Sequence, residues 1–194
     1  MKKIVLSSDN KHKVKEIQEI LKENVEIITK SEIGLGNLEV EENYNTLEEN
    51  AYIKAKAIKD ATAYGVIADD TGLFVEALNG EPGVHSARYA KDHSDSTNRK
   101  LLLKKLENEK NRKAYFKTIL VYIDENNNRY DFEGIIKGTI TEKELGKTDF
   151  GYDAIFKPEG YEKTFGEMTD VEKNQISHRK NAVIKLKKHL EEQR

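Results

Sequence analysis

Cysteine is absent from all 194 residues, which excludes disulfides, thiolate nucleophiles and Cys-ligated zinc or iron–sulfur sites. A surplus of one charge is missing too. The 33 basic and 35 acidic residues leave a net charge of -2. Nothing global therefore draws the chain to nucleic acid or an anionic membrane, and a polyanion would need a local site, which favours a small ligand over a polymer. Long hydrophobic runs are lacking as well. Met1-Lys2-Lys3-Ile4-Val5-Leu6-Ser7 opens like a signal peptide, but its apolar run is far too short, and no stretch approaches transmembrane length. The expectation is a cytoplasmic protein with no membrane and no nucleic-acid partner. Proline is nearly absent, and the two prolines, Pro82 and Pro158, sit beside glycines, which marks loops rather than linkers.

What is present suits a globular chain. Hydrophobic residues make up 37% and are spread along the length, so a core can form despite 35% charged residues. Residues 3–7 and 25–29 read as short strands. Between them a polar turn precedes Val14, Ile17, Ile20 and Leu21 at helical spacing, predicting a helix to about residue 23. Residues 33–45 read as loop. Thr46 and Glu49 form a capping-box pattern that opens a helix with Leu47, Ala51, Ala55, Ile58 and Ala61 inward and Gly65 at its end. Residues 65–68 predict a buried strand running into Asp69-Asp70-Thr71-Gly72, and 73–78 a strand or short turn. A helix is expected over 95–107, and two long strands at 114–124 and 129–140 are joined by a hairpin loop. Residues 146–160 are glycine-rich and read as irregular. Thr169 with Glu172 is a second capping box, and Ser177 caps a last helix with Val183, Leu186 and Leu190 inward. The sum is one α/β domain over residues 1–194 with a mixed sheet and flanking helices.

Four segments carry candidate chemistry. Ser8-Asp9-Asn10-Lys11-His12-Lys13 joins a strand to a helix, whose free N–H groups and the Lys13 ammonium suit phosphate. The same turn can be an ordinary capped turn with surface lysines. Asp69 and Asp70 follow an apolar strand where α/β sheets place ligands. Adjacent strand residues face opposite ways, so one can bind a hard cation while the other orients a neighbour. Glu42 and Glu49 are further candidate carboxylates, and the capping box accounts for Glu49. Phe150-Gly151-Tyr152-Asp153 offers rings to a planar ligand and a carboxylate to its polar edge. Lys173 and Ile176-Ser177-His178-Arg179 add cations. On one straight helix Lys173 and His178 would diverge by about 140°, and a break at Ser177 would let both face one site.

These segments together resemble the inosine triphosphate pyrophosphatase, or Ham1-like, family. The resemblance is carried by Asp69-Asp70-Thr71-Gly72-Leu73 continuing through residues 80–89, by residues 150–153 with Phe156, and by residues 164–168 running through Glu172 and Lys173 to Arg179. Residues 8–13 and 46–57 agree more weakly, and the order holds along the whole chain. Asp9 stands where the family usually has glycine, and Ala154 where proline is common. The resemblance implies an elongated, two-lobed α/β fold with a central cleft, acting as a homodimer. It implies Mg²⁺-dependent hydrolysis of ITP, dITP and XTP to monophosphate and pyrophosphate, with Mn²⁺ as a possible substitute. Residues 8–13, with Ser8, Asn10 and Lys13 foremost, would hold the triphosphate. Asp70 would be proton acceptor and metal ligand, Glu42 the second metal-linked carboxylate and Thr71 a substrate contact. Residues 150–153 would enclose the base, with Lys173, His178 and Arg179 on the base and nearby phosphate. Two other readings fit part of the pattern: a related pyrophosphatase acting on modified pyrimidine nucleotides, and a nucleotide-binding module without catalysis.

Overall fold

The computed structural model describes residues 1–193. The strands are β1 (Lys2–Leu6), β2 (Val25–Thr29), β3 (Gly65–Val75), β4 (Pro82–Gly83), β5 (Lys113–Ile123), β6 (Arg129–Ile140) and β7 (Phe156–Pro158). The α-helices are α1 (Lys11–Leu21), α2 (Leu47–Lys59), α3 (Asp95–Lys105), α4 (Asp170–Ile176) and α5 (His178–Glu192). The sheet runs β2-β1-β3-β5-β6-β7, with β4 on β3. It is mixed: β1 pairs in parallel with β2 and β3, whereas β3–β4 and β6–β7 are antiparallel. Among the described residues no helix is long and apolar enough to cross a membrane.

The chain divides into two compact units. One holds Met1–Asp70, Thr118–Gly134 and the chain from Arg179 onward; the other holds Thr71–Lys117 and Ile135–His178. Each has its own core. In the first unit Ile4, Leu6 and Ile67 of the sheet meet Ile17 and Leu21 of α1 and Val183 and Leu186 of α5. Val5 and Val66 alternate to the opposite face and are also fully buried, so both faces of these strands are covered. The remaining helix of the unit, α2, buries Leu47, Ala51, Ala55 and Ile58. In the second unit Leu73, Val75, Leu102, Phe116, Tyr152, Phe156 and Phe165 form the core.

Several local expectations shift. Ala61 is exposed, because α2 stops at Lys59, and Gly65 opens β3 rather than closing the helix. The strand expected over 65–68 is longer: β3 runs unbroken through Asp69-Asp70-Thr71-Gly72 to Val75. Pro82 and Pro158 lie in the short strands β4 and β7, where the missing N–H is tolerated. Thr46 caps α2, but the Glu49 carboxylate accepts from the Thr46 hydroxyl at 2.8 Å, so the capping box is half formed. The Thr169–Glu172 box is complete, and a second complete one joins Thr164 to Glu167.

Candidate active site

Strand alternation sorts the two aspartates. Asp69 lies two residues after Ile67 and shares its face, toward α1 and α5. Asp70 follows Ala68 on the face of α2. The Asp69 carboxylate receives Lys13 Nζ at 2.8 Å and Arg179 Nε at 3.3 Å, and Arg179 Nη1 reaches Glu16 Oε2 at 3.0 Å. Asp69 and Glu16 are both buried. Burial alone would raise the Asp69 pKa, but Lys13, Arg179 and Lys54 outweigh it and hold the carboxyl far below the usual range. Burial likewise works against the Arg179 charge, and Asp69 and Glu16 overcome it.

On the other face the Lys54 ammonium of α2 pairs with Glu42 and lies 3.6 Å from Asp70 Oδ1. Two carboxylates 28 residues apart in sequence thus meet one cation. Burial disfavours the ammonium, but Asp70, Asp69 and Glu42 together raise its pKa above the ordinary lysine value. Among the described residues no group of three or more acidic or histidine ligands gathers that could hold a metal by itself. A pair of oxygen donors around a cationic position fits Mg²⁺, which takes one or two carboxylates and fills its shell with phosphate oxygens and water.

The turn after β1 is held by its own side chains. Asn10 caps α1 by accepting from His12 N at 3.0 Å and Lys13 N at 3.2 Å, and Ser8 Oγ accepts from Asn10 N. Asp9 turns its carboxylate to Ser31 N at 3.2 Å. Lys11 and His12 are exposed.

The second unit gathers the rest. Lys173 Nζ pairs with Asp153 and lies 4.5 Å from the centre of the Phe150 ring and 5.5 Å from that of Phe165. Ser177 is extended, so α4 ends and α5 begins at His178, the break that the Lys173–His178 spacing called for. The His178 ring stacks on Phe116 with centroids 4.8 Å apart and planes at 16°, and it also meets Phe165. Lys173 and His178 therefore share the Phe165 ring. Phe150 is exposed, whereas Tyr152 turns inward and donates its hydroxyl to the Ser86 carbonyl at 2.6 Å. Burial raises the Tyr152 pKa strongly, so the phenol stays protonated. The loop is stapled from α3: Arg99 donates to the Gly151 carbonyl at 2.7 Å and to Glu144, and Gly151 N donates to Asp95. Thr71 lies in β3 directly after Asp70, in the second unit.

Sequence reasoning did not single out Glu16, Lys54, Arg99 or Phe116. Glu16 had one signal, a carboxylate one turn after Lys13 on the inward face of α1. The partners of Lys54 and Arg99 lie far along the chain and leave no local pattern.

The sequence model of the Ham1 family matches residues 4–189. A dITP/XTP pyrophosphatase of Flavobacterium johnsoniae is 46% identical over 187 residues, covering 95% of each chain. The dITP/XTP pyrophosphatase of Clostridium perfringens is 46% identical over 200 residues, covering 98% of each. Among solved structures, the Ham1 protein of Staphylococcus aureus superposes with a TM-score of 0.91 at 39% identity, with both chains fully covered. The HAM1 protein of Coxiella burnetii gives 0.91 at 36% identity, covering 99% of this chain and 100% of its own. With a family match along nearly its whole length, the chain belongs to the Ham1 family.

Proposed function

We propose that the protein hydrolyses the non-standard purine triphosphates ITP, dITP and XTP to monophosphate and pyrophosphate, with Mg²⁺ as its usual cation and Mn²⁺ as a substitute. The protein is a nucleotide pyrophosphohydrolase of the Ham1 family. The observation that carries the finer reading is the meeting of Glu42 and Asp70 on one cationic position.

A divalent ion on these carboxylates would withdraw charge from phosphate oxygens and acidify water. Asp70 accepts the proton of the water that attacks the α-phosphorus. The new bond joins that oxygen to the α-phosphorus, and the bond to the bridging oxygen breaks. Lys13 offsets the charge on the departing pyrophosphate, and Ser8, Asn10 and the start of α1 orient the phosphates. Asp69 keeps Lys13 and Arg179 in place. Thr71 contacts the substrate beside Asp70. Phe150 stacks on the base, and the Asp153–Lys173 pair meets its polar edge. His178 and Arg179 donate to a carbonyl at the 6-position. Adenine presents an amino group there, and a donor left facing it costs about 1–3 kcal/mol.

We read residues 1–194 as one functional domain that acts as a homodimer without a nucleic-acid partner. The second unit supports the dimer through a groove of about 980 Å³. Phe74 and Tyr115 stack there with centroids 5.1 Å apart. Its lining carries three lysines and three glutamates beside that pair, charges of both signs that suit contact with a second copy of the same face. Sedimentation of Tyr115→Glu as a monomer supports this surface, and an unchanged dimer rejects it.

The activity is tested with ITP in ¹⁸O-water, with and without Mg²⁺. The expected products are IMP carrying one ¹⁸O and unlabelled pyrophosphate, formed only with the ion. IDP and phosphate, or faster turnover of modified pyrimidine triphosphates in a substrate panel, would overturn the assignment.

A further inference from the structure

Lys54 has a place of its own. It lies mid-helix in α2, whose Ala51, Ala55 and Ile58 are buried, so its backbone is fixed. One turn earlier on the same helix face, the buried Asn50 clamps the backbone of Tyr44: its Oδ1 accepts from Tyr44 N at 3.1 Å and its Nδ2 donates to Tyr44 O at 3.3 Å. Residues 42–44 are thus tied to α2 twice, by Asn50 at Tyr44 and by the Lys54 ammonium at Glu42. The same ammonium reaches Asp70 on β3.

We propose that Lys54 is the resident counter-cation of the Glu42–Asp70 pair, holding the two carboxylates together in the metal-free protein and competing with the divalent ion for them. The inference rests on the reading of Glu42 and Asp70 as metal ligands. Two carboxylates turned toward one point repel unless a cation lies between them. Lys54 supplies that cation. A divalent ion arriving at the same oxygens meets a like charge already in place, so the ammonium must leave. Its flexible four-carbon stem permits this, and one-fifth exposure of the side chain leaves a way out to water. The lysine thus trades metal affinity for a site assembled before the ion arrives.

The test is a calorimetric titration of Mn²⁺ into the nucleotide-free protein, its Lys54→Met variant and its Lys54→Arg variant. Lys54→Met is expected to bind Mn²⁺ about tenfold tighter or more. Its metal-free melting temperature falls, and saturating Mn²⁺ restores it. Lys54→Arg keeps the weaker, parent-like affinity. A second readout needs no variant: lysine acylation followed by mass spectrometry should find Lys54 labelled several times faster in saturating Mg²⁺ than without metal. Equal or weaker Mn²⁺ binding by Lys54→Met, or Lys54 labelling that ignores Mg²⁺, overturns the role of Lys54 alone. Absence of Mn²⁺ binding in parent and variant overturns the metal reading of Glu42 and Asp70 with it. The product analysis with ITP decides the proposed activity separately.

Discussion

The two units build their candidate sites from different materials. The first works with charge: Lys13, Glu16, Asp69 and Arg179 form one chain of ion pairs on one face of β3, and Glu42, Lys54 and Asp70 form another on the opposite face. The second works with rings: Phe150 and Phe165 lie against Lys173, which pairs with Asp153, and Phe165 also meets the His178 imidazole stacked on Phe116. Under the proposed function the first set would serve phosphates and the second a base. Phosphates ask for fixed charges whose positions do not relax, and a base asks for flat apolar faces with a few polar edges. Each set is held by its own core, so a substitution in one should leave the chemistry of the other readable.

The sharpest way to break this division is Asp70→Asn. Loss of the proton acceptor should lower turnover of ITP about 10²–10⁴-fold while the melting temperature stays near that of the parent. Normal turnover would remove Asp70 from the chemistry. Asp69→Ala should act differently, by leaving Arg179 and Lys13 without their shared partner. Urea denaturation should show a loss of about 3–5 kcal/mol, and an unchanged midpoint would make the ion-pair chain ornamental. Asp69 also sets a pH dependence. A carboxylate whose pKa is depressed on folding contributes stability above its unfolded value, about 3.9, and loses it progressively below. Acid unfolding should therefore steepen below about pH 4 in the parent and flatten in Asp69→Asn.

On the ring side the effects should be smaller and fall on recognition. Phe150→Ala should raise KM for ITP by the stacking it removes, about 1–3 kcal/mol, with kcat little changed; a fall in kcat alone would take Phe150 off the base. Arg179→Ala tests base readout from the charged side. If its donors read the 6-carbonyl, the preference for ITP over ATP narrows, by up to about 1–3 kcal/mol. If it serves only Asp69, both substrates slow equally and the ratio holds.

The sequence carried the parts governed by local rules. The opposite facing of adjacent residues after the apolar strand announced that Asp69 and Asp70 would serve different partners, and Ser177 announced a break between Lys173 and His178. Residues governed by distant partners were silent. Lys54 reads as one more lysine on a polar helix face until Glu42 and Asp70 arrive beside it. Arg99 reads as solvated until Gly151 offers its carbonyl. Tyr152 looked like a second ring for the base, but its hydroxyl satisfies the Ser86 carbonyl and the ring is drawn into the core. Gly65 reads as a helix stop because glycine's permissive backbone fits a helix end as readily as the strand it begins. A built Cβ there would come within 3.0 Å of the Tyr122 ring, so close approach explains the glycine.

β3 passes from one hydrophobic core into the other between Asp70 and Thr71, without a loop. A strand that does this acts as a ruler with a two-residue grading. Insert one residue after Asp70, and everything upstream keeps its facing while Leu73 and Val75 exchange places with Phe74, inside for outside. A length change here thus turns the second core's residues outward, whereas one in the hairpin at residues 124–128 leaves the facing of β3 unchanged.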